Sequence, residues 1–237
     1  MPTIVPPTAP PPTIRRANNS VDMKFLPSNP LLSNRHPLLR LLVILLCLLL
    51  IGIVGLLRLG DWLTPSDVLP ERIDLIVTFG GDTRRVEYSK ELMERYPEAH
   101  WFLSDYKNGY GRLLQKNDYD MKRVTIVDTC TSTLSEIHAA AQWITVAGAP
   151  VLPAAIGNGR PLLVGLVSSP YHMRRIDLMA HRYLKSQNIR YVLLPVPFGK
   201  YKWEKKTFQY WWRNEFITST TIQELAKIVY FLLTGYL

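Results

Sequence analysis

The sequence predicts an α/β fold, a three-layer Rossmann-like sandwich with a mainly parallel sheet, preceded by one transmembrane helix and a Pro-rich arm. Three observations predict it: an uncharged run at positions 41–57, nine of the 18 prolines within residues 1–37, and alternating strand-like and helix-like segments from residue 72. Strands that alternate with helices need crossovers, which cover both faces of a parallel sheet. We therefore predict an arm at 1–37, a transmembrane helix at 38–59, a linker at 60–71 and one α/β domain at 72–237.

The N-terminal arm has the composition of a disordered or polyproline-II segment. Its prolines stand among Asn, Ser and Thr, with few large apolar side chains. Such a segment cannot bury enough apolar surface to fold. A proline-rich ligand for a cytoplasmic partner is the alternative, although composition alone does not name a partner.

The uncharged run at 41–57 (LLVILLCLLLIGIVGLL) predicts a membrane-spanning helix. Its length approaches the roughly 20 residues that an apolar helix needs to cross a bilayer. It is apolar on all sides, unlike a core helix, and it lies too far from the N-terminus for a signal peptide. More basic residues precede the run than follow it up to position 72: Arg15, Arg16, Lys24, Arg35 and Arg40 against Arg58 and Arg72. The positive-inside rule therefore predicts a single-pass protein of the plasma (inner) membrane with a cytoplasmic N-terminus and an extracytoplasmic domain.

Charge and cysteine usage exclude several classes of protein. Beyond position 58 the chain holds 22 basic and 18 acidic residues, a net charge of +4 that is too small to argue for a nucleic-acid partner. Cys47 in the predicted span and Cys130 in the domain do not form a disulfide framework. No metal is predicted, because the sequence has neither a C-x-x-C or His/Cys cluster nor an H-E-x-x-H motif. No cofactor is identified.

The domain is predicted to alternate strands and helices. Its strands are expected at 73–79, 100–104, 123–127, 161–168 and 190–195, and its helices at 83–96, 133–146 and 173–185. A closing helix is expected at 222–233 (IQELAKIVYFLL). Because twelve residues are too few to cross a bilayer, we expect this helix to pack on the domain.

Three loops that follow strands are suited to binding anions, and the carboxyl ends of parallel strands are where ligands bind in such sheets. The loops are FGGDTRR at 79–85, DTCTSTLSE at 128–136 and SSPYHMRR at 168–175. In the first, paired glycines allow close backbone approach and Arg84 or Arg85 offers a guanidinium fork, although a glycine pair is also typical of a plain turn. In the second, either the hydroxyls serve only to cap the next helix, through Ser132 or Thr133 with Glu136 completing a capping box, or the surplus hydroxyls line a polar pocket.

The third loop places a histidine and two arginines in the first turn of a helix, where the positive helix end repels cations. A bound anion would remove that penalty, and His172 has a suitable pKa for a general acid or base. A Ser-His-Asp hydrolase built from Ser168 or Ser169, His172 and Asp128 or Asp82 is disfavoured, because the G-x-S-x-G elbow is missing.

The three loops in this order resemble the YdcF/SanA/ElyC family over about residues 72–235. The matches are a Gly-Gly turn with a following Arg, a Ser at a strand end, an acidic residue before a Ser/Thr-rich motif, a Ser-Ser-x-x-His-x-x-Arg motif and a late Glu: Gly80, Gly81 and Arg85; Ser104; Asp128 with Thr133; Ser168, Ser169, His172 and Arg175; and Glu224. The sequence departs from the pattern at Asp105, Cys130, Ser132, Ser135, Glu136 and Ile176. Membrane-anchored members are associated with the cell envelope, including barrier function and wall precursor metabolism, and the single anchor is similar to the SanA layout.

The leading hypothesis is an envelope-biogenesis factor whose outward domain binds, and in its catalytic version processes, an anionic phosphorylated wall or lipid-carrier intermediate. The predicted catalytic residue is His172, and the predicted ligand-binding residues are Gly80, Gly81, Arg85, Ser104, Asp128, Thr131, Thr133, Ser168, Ser169 and Arg175. A nucleotide- or S-adenosylmethionine-binding enzyme of the YdcF type and a non-catalytic envelope scaffold are the alternatives. Basic and aromatic side chains between Lys200 and Trp212 are also candidates for contact with lipid headgroups.

Overall fold

The computed structural model describes residues 37–146, 159–185 and 188–235, so the predicted arm lies outside the described residues apart from Pro37. The chain divides into two units, Met1–Cys47 and Leu48–Leu237. Helix α1, Pro37–Leu57, has the length and apolar composition needed to cross a membrane, and all of its residues are exposed. The prediction of one apolar helix of spanning length near the N-terminus is confirmed.

The domain contains a parallel five-stranded sheet, which confirms the α/β class. The strands follow the order β3-β2-β1-β4-β5, and every pair of neighbours is parallel. Their bounds are Leu75–Thr78 (β1), His100–Ser104 (β2), Val124–Val127 (β3), Leu162–Ser168 (β4) and Ile189–Pro195 (β5). The central strand β1 is buried along its whole length, whereas the edge strand β3 is half-buried throughout.

Eight α-helices occur among the described residues. After α1 they are Leu59–Leu63 (α2), Thr83–Arg95 (α3), Gly109–Lys116 (α4), Thr133–Val146 (α5), Met173–Tyr183 (α6), Lys205–Gln209 (α7) and Glu215–Leu233 (α8). Short 3₁₀ turns precede α4, β3 and α6, and two more flank α7.

Two hydrophobic clusters pack against the sheet. Leu75 and Val77 of β1 belong to the first, with buried side chains of α5 and α6, whereas Ile76 belongs to the second, with side chains of α3. Successive side chains of a strand point to opposite faces of the sheet. Apolar side chains therefore cover both faces of β1.

The last helix is longer than predicted. It begins at Glu215 rather than at residue 222, because the Asn214 side chain caps it by accepting a hydrogen bond from Ile217 N at 3.0 Å. Its buried positions, Ile217, Thr221, Glu224 and Ile228, recur at helical spacing. One face of α8 thus packs on the domain, as expected.

The segment predicted as a linker, 60–71, contains most of α2 and then runs beside β5. Asp67 N donates to Leu193 O at 3.0 Å, and Leu193 N donates to the Asp67 carboxylate at 2.7 Å. This segment is therefore hydrogen-bonded to the sheet.

Candidate functional site

The strand order brings the predicted loops to one edge of the sheet. Strands β1 and β4 are neighbours, although the chain passes through β2 and β3 between them. The glycine loop follows β1 and the His172 loop follows β4, so both leave the sheet at its carboxyl edge. Ligands bind at such a reversal of strand order in open parallel sheets.

The glycine loop approaches its neighbours too closely for a larger residue at position 80. A Cβ atom on Gly80 would lie 2.8 Å from the Ser104 carbonyl oxygen and 3.2 Å from Glu136 Oε1. Gly81 has φ of +98°, which favours glycine. The next residue, Asp82, caps α3 by accepting a hydrogen bond from Arg84 N at 3.0 Å.

Arg85 lies behind the glycine loop and ties it to the loop after β4. Its guanidinium donates to the carbonyl oxygens of Phe79, at 3.1 Å, and Gly80. Its Nε donates to Ser169 Oγ at 3.0 Å, and Ser169 Oγ is 2.7 Å from the Tyr201 hydroxyl. Arg85 and Ser169 therefore hold the glycine loop and the loop after β4 together.

The start of α5 differs from the capping box that the sequence predicts. Ser132 and Ser135 form the reciprocal pair, because Ser135 N donates to Ser132 Oγ at 3.2 Å and Ser132 N donates to Ser135 Oγ at 3.0 Å. The predicted pairing of Thr133 with Glu136 is wrong. Glu136 instead accepts a hydrogen bond from Gly80 N at 2.8 Å, which joins the second loop to the first.

The cations at the start of α6 have a partner that the sequence analysis did not find. Arg175 Nε donates to Glu224 Oε2 at 2.9 Å, and His172 Nδ1 lies 3.1 Å from Glu224 Oε1. Lys227 Nζ lies 2.7 Å from the same carboxylate oxygen. The anion that we expected beside His172 and Arg175 is therefore supplied by α8 of the protein itself.

Burial keeps His172 neutral near pH 7. Burial, assisted by the nearby charges of Arg85 and Arg175, lowers the pKa of His172 to about 4, despite the hydrogen bond to Glu224. Burial raises the pKa of the Glu224 carboxyl, but hydrogen bonding to His172 and the charge of Arg175 outweigh burial and leave that pKa below its ordinary value. His172 Nδ1 lies within hydrogen-bond distance of both Glu224 Oε1, at 3.1 Å, and Arg175 Nη2, at 3.3 Å, so the ring is held between two charged groups.

A cavity of about 710 Å³ opens at the carboxyl edge between the first and second loops. It contains two carboxyl groups, three hydroxyl side chains and two tyrosines; its lining is Gly80, Gly81, Asp105, Tyr106, Gly109, Tyr110, Cys130, Thr131, Ser132, Thr133 and Glu136. Asp105 is fully engaged at the start of α4, where it accepts hydrogen bonds from Gly109 N at 3.1 Å and Gly111 N at 2.7 Å. Such a lining suits a polar ligand rich in hydroxyl groups more than a bare anion.

Burial raises the pKa of three titratable groups that line this cavity: Glu136, Cys130 and Tyr110. Burial raises the pKa of the Glu136 carboxyl, and its Oε1 is already bonded to Gly80 N. Burial also raises the pKa of the Cys130 thiol. Cys130 therefore stays protonated at neutral pH and is a poor nucleophile.

A second cavity of about 610 Å³ shares the Thr131–Thr133 segment with the first and extends toward α8. Its lining combines hydroxyls, two cations and apolar groups: Thr131, Ser132, Thr133, Arg175, Ala226, Lys227, Tyr230 and Phe231. The Lys227 side chain is 48% exposed, and its ammonium contacts the Glu224 carboxylate. The segment Thr131–Thr133 thus lies between the first cavity, which suits a ligand rich in hydroxyl groups, and the second, which is lined by cationic and apolar groups.

Comparison with known protein families, with curated proteins and with solved structures found no match. The geometry must therefore carry the assignment of the site.

The predicted residues fall into two groups. Those that line a cavity are Gly80, Gly81, Thr131, Thr133 and Arg175. The other predicted residues do not belong to the described lining of either cavity: Arg85, Ser104, Asp128, Ser168, Ser169 and His172. Asp128 is exposed, while Ser104 and Ser168 are buried at the ends of β2 and β4.

Three charged residues of the site were not predicted as ligand-binding: Asp105, Glu136 and Lys227. Asp105 follows a strand directly, which is a signal that the sequence analysis could have used. Glu136 and Lys227 carry no such local signal, because their partners lie far away along the chain. Among the described residues, no group of three or more His, Cys, Asp or Glu side chains could hold a metal ion.

Proposed function

We propose that this protein is a membrane-anchored cell-envelope factor whose domain, on the extracytoplasmic side, binds a phosphorylated, lipid-linked wall or carrier intermediate. The observation that carries the proposal is the pair of adjoining cavities. The segment Thr131–Thr133 offers hydroxyl groups to phosphate, and the half-exposed Lys227 beside it, whose ammonium contacts Glu224 on one side, has further N–H donors to offer. The larger cavity, lined by Glu136, three hydroxyl side chains and two tyrosines, offers hydrogen-bonding groups and ring faces to a sugar.

The apolar part of the ligand is accounted for by α8. Tyr230 and Phe231 line the second cavity, and Leu232 and Leu233 follow them with 56% and 82% of their surfaces exposed. An amphiphile bound with its phosphate at Lys227 would therefore lay its hydrocarbon chain along this end of α8. A free sugar phosphate would leave these side chains in water.

The same proposal assigns the chain to the YdcF/SanA/ElyC family and its domain to the three-layer Rossmann-like architecture. The contact of Arg175 and His172 with Glu224 supports the family assignment, because all three are positions of the resemblance. The strand order β3-β2-β1-β4-β5 and the apolar clusters on both faces of β1 support the architecture.

The test is binding of a short isoprenyl phosphate, farnesyl phosphate, to the full chain in nanodiscs. We expect Lys227→Gln to weaken binding about tenfold, the effect of about 1.4 kcal/mol for one charge-assisted contact. Lys122→Gln is the matched control, because Lys122 is exposed just before β3, at the opposite edge of the sheet from the cavities. Farnesol, which lacks the phosphate, should bind both variants equally.

Equal farnesyl phosphate binding by the Lys227 and Lys122 variants would contradict the assignment of the phosphate position. Reporter fusions at the C-terminus test the orientation separately. If a C-terminal reporter that works only in the cytoplasm is active, the domain lies on the wrong side of the membrane for a wall intermediate.

A nucleotide-binding enzyme of the YdcF type is the second candidate, and the reversal of strand order at the glycine loop favours it. It predicts that adenosine nucleotides compete with farnesyl phosphate in the same nanodisc assay. The envelope proposal predicts no competition from nucleosides that lack a phosphate.

A further inference from the structure

The start of the domain is packed directly on the end of α1. The Trp211 indole Nε1 donates to the Leu56 carbonyl oxygen, in the last turn of α1, at 3.1 Å. A Cβ atom on Gly60 would lie 1.7 Å from the Phe208 carbonyl oxygen, so the backbones of α2 and α7 are in contact. Leu63, at the end of α2, is fully buried. These contacts fix α7 and the turn after it beside the end of the apolar helix.

Large aromatic side chains at this junction remain exposed. Trp62, Tyr210 and Trp212, which we call the aromatic collar, are 40%, 46% and 42% exposed. The Tyr210 and Trp212 ring centroids are 5.8 Å apart, and Trp212 lies 6.1 Å from Trp211, the residue that is bonded to α1. The collar therefore lies within one or two side chains of the place where α1 ends.

Cationic side chains accompany the collar. The Arg213 guanidinium lies 4.8 Å from the Tyr210 ring centroid, and the Arg174 guanidinium lies 5.1 Å from the Trp62 ring centroid. Arg58, at the helix end itself, has a side chain that is 76% exposed. Aromatic rings next to cations suit the headgroup region of a bilayer, where rings meet the hydrocarbon boundary and cations meet phosphate.

We infer, resting on α1 as a membrane span and not on any ligand, that the aromatic collar is inserted in the headgroup region of the bilayer that α1 crosses. The domain is then seated on the membrane by two points far apart in the sequence: Trp62 just after the span, and Tyr210 with Trp212 about 150 residues later along the chain. A domain seated in this way cannot swing freely on its anchor. The lipid surface, rather than a second protein, covers the exposed rings.

The test uses the full chain in nanodiscs that contain lipids brominated near the headgroup, which quench tryptophan fluorescence at that depth. We expect part of the fluorescence of the six tryptophans to be quenched, and Trp62→Phe and Trp212→Phe each to remove a share of the quenchable part. Trp143→Phe is the matched control, because Trp143 stacks on His100 beside the sheet, with ring centroids 5.1 Å apart. That variant should lower the total signal without changing the quenchable part.

Quenching that neither Trp62→Phe nor Trp212→Phe reduces would overturn the inference. A second readout does not depend on these substitutions: a photoreactive benzophenone amino acid at position 210. Crosslinks to lipid support the collar, whereas crosslinks to another copy of the chain overturn it. Because no ligand is added, neither result depends on whether the domain binds a phosphorylated lipid.

Discussion

The neutral His172 predicts a loss of stability on acidification that a single substitution should reduce. In the unfolded chain a histidine has a pKa near 6.5, whereas burial lowers the pKa of His172 in the folded protein to about 4. Between these values the unfolded chain binds a proton that the folded protein does not bind, so the free energy of unfolding falls as the pH falls. At about 1.36 kcal/mol per pKa unit, a difference of about 2.5 units corresponds to about 3 kcal/mol.

The variant that isolates this effect is His172→Asn, because the asparagine amide keeps a polar side chain beside Glu224 and does not titrate in this range. Denaturant unfolding of the full chain in micelles, at several pH values between 7 and 4, measures the free energy of unfolding. We expect the wild-type chain to lose about 3 kcal/mol more than the variant across this range.

His100 supplies an internal comparison. Burial also lowers the pKa of His100 to about 4, and its Nε2 lies 2.8 Å from Thr125 Oγ1. His100→Asn should therefore reduce the pH dependence by a similar amount, and the double variant by about the sum. NMR titration of the imidazole signals, assigned with these variants, reads the pKa values directly, and a His172 signal that titrates near 6.5 would refute the reasoning.

Three further substitutions have outcomes set by single contacts. Gly60→Ala should lower the free energy of unfolding by about 1–3 kcal/mol, because its Cβ would overlap the Phe208 carbonyl oxygen. Gly55→Ala is the control, because a Cβ atom at position 55 has no atom within 4 Å. Equal unfolding curves for the two variants would contradict this packing. Glu136→Gln keeps the acceptor for the glycine loop but cannot ionise. Since burial raises the pKa of Glu136, the free energy of unfolding of the wild-type chain in urea should fall relative to that of the variant as the pH rises through that pKa; the same pH dependence in both would count against it. Asp105→Asn should lower the free energy of unfolding by about 1–2 kcal/mol, because the amide keeps only one of the two oxygens that accept hydrogen bonds from the N–H groups at the start of α4. Unchanged thermal unfolding would contradict the role of Asp105 in holding the start of α4.

Local patterns predicted the elements of the domain well because their causes are local. The bounds of α5, 133–146, follow from a Ser/Thr-rich start and an Ala-rich helical pattern, and both are visible within one segment. The strand at 100–104 is likewise bounded as predicted. The last helix began earlier than predicted because its cap, Asn214, precedes the apolar pattern by two turns.

The site was harder to predict because its contacts join distant segments. The bond from Gly80 N to Glu136 spans 56 residues, and that from Arg175 to Glu224 spans 49. A helix start rich in cations does indicate a nearby anion, but the sequence cannot tell a bound ligand from a carboxylate on another helix. The strand order, which decides that the loops of β1 and β4 are neighbours, is also invisible in local patterns.

Native mass spectrometry of the full chain, extracted with its surrounding lipids, tests the central claim most directly. If the two cavities that share Thr131–Thr133 bind a phosphorylated, lipid-linked molecule, the wild-type chain should carry an adduct whose fragments include phosphate and an isoprenoid chain, and Lys227→Gln should carry less of it. A chain that retains only bulk membrane lipids, in the same amounts in both variants, would contradict the claim.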